Sequence, residues 1–253
     1  MRQTETPNID GLFREGASTY SAQTAFPSIS AQCWGALHHG VTPDKHGLDN
    51  DVVANHPYLD DSPYPSFMKL TRQAWPDCKL AAFSEWQPIN GGIIEEGIGV
   101  HKVSLPDAEL ASAAADYIRN NTDIKIMFVE FSDPDAAGHK YGYGSKEYLD
   151  VITVTDGHIG TLLEAIRDAG LLGDNLIILT TDHGGAGDYG YYSHGSDHPN
   201  DMLIYWGCRG PGIAPGTQLD AVRIYDTAAV VLRALGLPIP DVYDGRVPAL
   251  LFE

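Results

Sequence analysis

The chain is short of cations, short of thiols and free of long apolar runs, and each shortage removes a class of protein. Only 16 Lys and Arg stand against 34 Asp and Glu, a formal charge of -18 at pH 7 over 253 residues. Nucleic acid is held through clustered Lys and Arg on its phosphates, so binding it by a broad basic surface is excluded. No apolar stretch approaches the ~20 residues that span a bilayer, and no basic-then-apolar leader opens the chain. Neither a transmembrane helix nor a signal peptide is therefore expected, and the matching expectation is a cytoplasmic protein with no membrane partner. The cysteines Cys33, Cys78 and Cys208 are scattered, giving neither a metal-type pair nor an even disulfide framework. Repeats and low-complexity tracts are also lacking.

What is present describes a globular protein. Hydrophobic residues make up 43% of the sequence, with four Trp, thirteen Tyr and seven Phe, enough for a well-buried core. Residues 1–253 read as a single domain of alternating helix and strand, with room for a small insertion at about 50–103, where helix periodicity is weak. Pro7 starts a short helix carrying Ile9, Leu12 and Phe13, which ends near Gly16. Helices are also expected over about 30–39, from Pro106 through Ile118, over about 146–168 and over about 226–235. Residues 50–65 are polar and Pro-rich and read as loop. Short strands are expected at 79–83, 124–131, 176–181 and 202–206.

Three clusters carry chemistry: Asp135-x-x-Gly138-His139, Asp182-His183-Gly184-Gly185 and Ser193-His194-Gly195. The first two follow apolar runs, Ile124 to Phe131 and Leu176 to Thr181, that read as buried parallel strands. In an open α/β sheet the loops beyond the carboxyl ends of the strands form the ligand crevice. Asp135 and His139 can converge on one cation, and Asp182 with His183 can offer oxygen and nitrogen to a second. Mixed imidazole and carboxylate donors favour zinc or another first-row metal over magnesium or calcium. Bound cations would also reverse the local potential of this acidic chain toward an anionic substrate.

A nucleophile for phosphate chemistry belongs where a strand turns into a helix, since amide N–H groups and the helix dipole there stabilise negative charge. Ser30, in Phe26-Pro27-Ser28-Ile29-Ser30, fits that position, with helix N-capping as its structural alternative and Ser28 as a rival for either role. In the following His46-Gly47-Leu48-Asp49-Asn50, the Asn50 amide can donate to a phosphoryl oxygen or serve as a turn residue.

With these stretches in hand, the chain resembles the alkaline phosphatase superfamily, and within it the type I phosphodiesterase/nucleotide pyrophosphatase group. The resemblance runs through Thr6-Pro7-Asn8-Ile9-Asp10, Pro27 to Gly47, the metal clusters, Gly210-Pro211-Gly212, Tyr225 to Ala229, and Leu235-Gly236-Leu237-Pro238. It implies an α/β fold with a mostly parallel central sheet and helices on both faces. It also implies hydrolysis of a small phosphate ester or nucleotide through a phospho-serine at Ser30, assisted by Asn50. Asp135, His139 and His194 would hold one ion, and Asp182 and His183 the other. Zinc is the expected metal and manganese the other candidate. His198 competes with His194. Tyr141, Tyr143, Tyr189, Tyr191 and Tyr192 either stack on a nucleobase or sit as surface aromatics.

The resemblance also implies an apolar first strand ending in Asp-Gly, whose carboxylate ligates the second metal. No such strand precedes Thr6, and Asp10-Gly11 falls inside the first helix. The expectation is thus a sheet lacking its first strand, either because the sequence begins downstream of its natural start or because the second metal site is impaired. Alternatives are a phosphomonoesterase on the same scaffold and a catalytically weak metal-binding homologue. A sulfatase is disfavoured because neither Ser30 nor Cys33 sits in a Cys/Ser-x-Pro-x-Arg setting, and a phosphoglycerate mutase because its large second domain has no room.

Overall fold

The computed structural model describes residues 4–252. In chain order it contains α1 (Pro7–Arg14), β1 (Ala17–Gln23), α2 (Ser30–His39), α3 (Pro43–His46), α4 (Asn50–Asn55), α5 (Phe67–Ala74) and β2 (Lys79–Ser84). A π-helical turn (Ile89–Ile93) leads to β3 (Val100–Val103), α6 (Asp107–Asn120), β4 (Ile124–Glu130), α7 (Asp133–Tyr141) and α8 (Lys146–Asp168). The chain closes with β5 (Ile177–Thr180), α9 (Pro199–Met202), β6 (Leu203–Arg209), β7 (Thr217–Gln218) and α10 (Asp226–Ala234).

Local chemistry explains the long helices. The Ser145 side chain accepts from Tyr148 N to cap α8, Pro7 occupies the first turn of α1, and Gly40 ends α2 at φ 65°, where a side chain would be strained. α1 turns Ile9, Leu12 and Phe13 inward against Ile159 and Leu163 of α8. On the opposite face, α2, α5 and α10 contribute Trp34, Leu37, Phe67, Met68, Val230 and Leu232 to the largest core cluster.

The sheet comes in two halves. One is fully parallel, in the order β3-β2-β4. The other has the order β5-β6-β1-β7, with β6 antiparallel to β5 and β1 and β7 parallel to β1. The α/β architecture with helices on both faces is therefore as expected. The stretch at about 50–103 supplies β2, the middle strand of the parallel half, together with β3, α4 and α5.

β4 and β5 each end their half-sheet, and a cavity of about 1360 Å³ lies against both. This changes one expectation. β4 and β5, read from their apolar runs as buried strands, are mostly half-buried because each turns one edge to that cavity. Among the described residues, no helix is long and apolar enough to cross a membrane.

Candidate active site

β4 runs directly into α7 and β5 into the loop at 181–198, so both strands deliver their functional residues to the same end of the sheet. Asp135 and His139 lie one turn apart on α7, with Asp135 Oδ2 3.4 Å from His139 Nε2. They reach the site from a helix, not from the loop that the Gly-flanked sequence suggested. Asp182 Oδ2 lies 3.3 Å from His183 Nε2, and Asp135 Oδ1 lies 3.9 Å from His194 Nε2. Donor atoms of Asp135, His183 and His194 all fall within 4.8 Å of one another. This group crosses the division of ligands implied by the resemblance, because His183 as well as His194 comes within 4.8 Å of Asp135. His139 and Asp182 adjoin it through Asp135 and His183.

The histidines share one arrangement. Nδ1 of His183 meets Gly184 O at 2.8 Å, Nδ1 of His194 meets Ser28 O at 2.7 Å, and Nδ1 of His139 meets Tyr192 O at 2.8 Å. A carbonyl can only accept, so each Nδ1 carries the proton and each Nε2 presents a lone pair toward the carboxylates. That tautomer is the one second-shell carbonyls impose on metal-ligating imidazoles. Burial pushes the His183 and His194 pKa values below the ordinary histidine value, keeping both rings neutral and able to ligate. Burial, followed by the charges of Asp135 and Glu130, pushes Asp182 well above the usual carboxylate range. The donor set fits a divalent cation, whose charge would relieve that carboxylate crowding.

Ser30 is the first residue of α2, and its Oγ lies 3.4 Å from His183 Nε2. Its alternative reading as a helix cap is replaced by the fold, since Ile29 holds the cap position and offers no side-chain acceptor. Ser28 is fully buried and its hydroxyl donates to Ser196 O at 2.7 Å, a structural role. Asn50 Oδ1 accepts from Ala31 N at 3.1 Å, which brings the Asn50 side chain to the residue after Ser30. Asp49 is the cap of α4. His198 caps α9 by accepting from Asn200 N at 3.1 Å and stays outside the cluster. Asp10 lies on the exposed side of α1.

Two supporting contacts had no signal in the sequence. The Tyr143 hydroxyl donates to Asp135 Oδ1 at 2.5 Å, and Thr24 Oγ1 donates to the Asp182 carbonyl. Tyr143 is 7% exposed, so it orients Asp135 and is not a surface aromatic. Its ring explains two glycines: a Cβ at Gly138 would come within 2.3 Å of it and one at Gly185 within 2.5 Å. Tyr141, Tyr189, Tyr191 and Tyr192 are exposed. A separate acidic group, Glu85, Asp107 and Asp133, also went unnoticed in the sequence. Asp107 there accepts from Ser132 N and Asp133 N at 3.0 Å each, fixing the start of α7. Burial, and then the Asp107 charge, raise Glu85 to about 7.

A sequence profile described as type I phosphodiesterase / nucleotide pyrophosphatase matches residues 53–203. Ectonucleotide pyrophosphatase/phosphodiesterase family member 7 of Rattus norvegicus is 25% identical over 209 residues, covering 72% of this chain and 46% of the relative. Bis(5'-adenosyl)-triphosphatase enpp4 of Xenopus laevis is 24% identical over 226 residues, covering 81% of this chain and 46% of the relative. The chain thus spans about half the length of these relatives. In fold it is similar to murine ectonucleotide pyrophosphatase / phosphodiesterase 5, with TM-score 0.78 at 15% identity over 98% of this chain and 95% of that one. An inactive form of the same murine protein, solved in complex with AMP, gives 0.76 at 14% identity over 96% and 93%.

Proposed function

The chain belongs to the type I phosphodiesterase / nucleotide pyrophosphatase family, and on that premise we propose that it hydrolyses phosphodiesters or nucleotide pyrophosphates with Ser30 as nucleophile. The observation that carries this reading is the common orientation of His139, His183 and His194, with Nδ1 bound to backbone carbonyls and Nε2 turned to Asp135, Asp182 and Ser30. Asp135, His139 and His194 would hold one divalent ion, and Asp182 and His183 another, zinc by donor type with manganese as the other candidate. When bound, the ions would offset the phosphate charge and favour the ionised Ser30 hydroxyl.

The chain's own groups account for the rest. The first turn of α2 points N–H groups at the phosphoryl oxygens. Ala31 N is already bonded to Asn50 Oδ1, which leaves both Nδ2 hydrogens of Asn50 to donate to a non-bridging oxygen. Ser30 Oγ forms a bond to phosphorus while the leaving oxygen departs with its electron pair. Water then opens the Ser30–phosphate bond. Tyr189, Tyr191 and Tyr192, 66%, 47% and 57% exposed, offer rings on which a nucleobase can stack, in keeping with the AMP bound by the murine relative.

A second reading, a metal-binding homologue with weak turnover, draws on the split sheet directly beneath the site. The two separate in one experiment. The zinc-loaded chain is mixed with bis-p-nitrophenyl phosphate, quenched early and digested. Hydrolysis with a p-nitrophenyl phosphoryl group on the Ser30 peptide supports the phosphodiesterase. Zinc bound without Ser30-dependent turnover on this or on a phosphomonoester supports the weak homologue.

A further inference from the structure

Asp182, His183 and His194 all sit on the stretch between β5 and α9, which holds neither helix nor strand. So long a loop keeps its side chains in place only where its backbone is tied down. The tie is Asp201 of α9. It is 0% exposed, and its charge is met by donors of the loop itself: Oδ1 accepts from Gly187 N at 2.8 Å, and Oδ2 from Ser196 N at 2.9 Å and Ser196 Oγ at 2.6 Å. The limb that follows His183 and the limb that follows His194 are thereby closed on one carboxylate. Glycine permits the closure, since a Cβ at Gly187 would come within 2.5 Å of that carboxylate and one at Gly184 would overlap Asn200 O. From Ser196 the path reaches an imidazole. Ser28 Oγ donates to Ser196 O at 2.7 Å, and Ser28 O accepts from His194 Nδ1 at 2.7 Å. Both serines are buried, which keeps water from competing for these bonds. The His194 ring in turn carries that of His183, stacked on it with centroids 3.7 Å and planes 17° apart.

We infer that Asp201 is a positioning residue, a clamp that acts through Ser196 and Ser28 to hold the His194 imidazole, and with it that of His183, turned toward Asp135. A carboxylate suits the position because each of its oxygens meets only donors. Asn in its place would set an NH2 group against an N–H and release one limb of the loop. For metal binding this rests on the role proposed above for His194, whereas the bond pattern is readable without metal.

Asp201→Asn and the milder Ser196→Ala, which removes one donor, are compared with the parent, first without metal. In the parent at neutral pH, side-chain 1H–15N NMR should show His194 as the Nδ1–H tautomer, with that proton protected from exchange with water. The variants should speed its exchange at least about tenfold, while the His139 Nδ1–H, bonded to Tyr192 O, keeps its parental rate. Zinc affinity should then fall by about 10–100-fold in Asp201→Asn. Ser28→Ala cuts the same path, so combined with Asp201→Asn it should weaken zinc binding by far less than the product of the two separate effects. Asp226→Asn is the control. Asp226 is also a buried carboxylate, accepting from Arg223 N and Arg246 N at 2.8 Å each at the start of α10, outside the cluster. Its substitution should lower Tm and leave His194 exchange and zinc affinity unchanged. The clamp is overturned if His194 exchange is unchanged in the variants that fold, if Asp226→Asn reproduces the zinc loss, or if the Asp201 and Ser28 effects simply multiply. A parent that binds no zinc but shows this exchange pattern supports the clamp and contradicts the proposed function.

Discussion

Two groups of histidines, one inside the α2 layer and one at its amino end, show how the same side chain becomes scaffold or ligand. His46 spends both nitrogens, with Nε2 3.1 Å from Gln32 O and Nδ1 accepting from Leu48 N at 3.0 Å. His39 has Nδ1 2.9 Å from Tyr64 O and Nε2 3.1 Å from Ile93 O, to one of which the neutral ring donates, and it stacks on Tyr58. His38 is packed between the rings of Phe67 and Phe128. His139, His183 and His194 instead bind backbone through Nδ1 alone and keep Nε2 for the site. Burial lowers the pKa of His39 and His46 as it does that of His183 and His194, so burial does not separate scaffold from ligand. What separates them is where Nε2 faces: only in the second group does it meet carboxylates.

The strongest way to break this comparison is to exchange the outcomes. His183→Ala should cost activity about 10³-fold or more and weaken zinc binding, while leaving the unfolding midpoint close to the parent. His39→Ala should instead lose about 2–4 kcal/mol in denaturant unfolding, with turnover per folded molecule retained. Equal effects of both substitutions on stability and turnover would erase the distinction.

A pH titration sharpens it further. Burial lowers His39 to about 4 from an ordinary 6.5, so the folded state favours the neutral ring. The resulting stability is complete above pH 6.5 and is lost as the pH falls toward 4, at ~3 kcal/mol for this one group. Urea unfolding between pH 7 and pH 4 should show that decline, and a flat profile in the parent would contradict it.

Smaller effects test the supports. Tyr143→Phe removes the donor to Asp135 and should weaken metal binding by about tenfold while keeping the ring that Gly138 and Gly185 enclose. Titration with a zinc indicator measures it. His198→Ala should cost no more than about 1 kcal/mol through the lost cap of α9 and leave zinc affinity unchanged. A loss of zinc there would return His198 to the site.

The sequence made α2, α8 and α10 legible through apolar spacing and glycine stops, and α6 through its Pro106 start and apolar spacing. It hid β1, Ala17–Gln23, whose Ala, Ser and Gln carry little strand propensity and which is held by pairing with β6. It also hid α5, where Ser66 caps a run of eight residues just after a Pro-rich loop. The metal clusters were readable as residues but not as geometry. Asp135 and His139 looked like loop residues until Pro134 and the Asp107 carboxylate started a helix through them. Which imidazole lies nearest which carboxylate depends on the stacking of His183 on His194, with centroids 3.7 Å apart, and no spacing encodes that. Tyr143 was visible only as one tyrosine among several, since its burial depends on two glycines far apart in the chain.

The most direct measurement of the central claim is a zinc titration and phosphodiester assay of Ser30→Ala beside the parent. The account predicts unchanged zinc content and hydrolysis of bis-p-nitrophenyl phosphate reduced by about 10³-fold or more. Hydrolysis that survives the substitution, or a parent chain that binds no zinc or manganese, would contradict it.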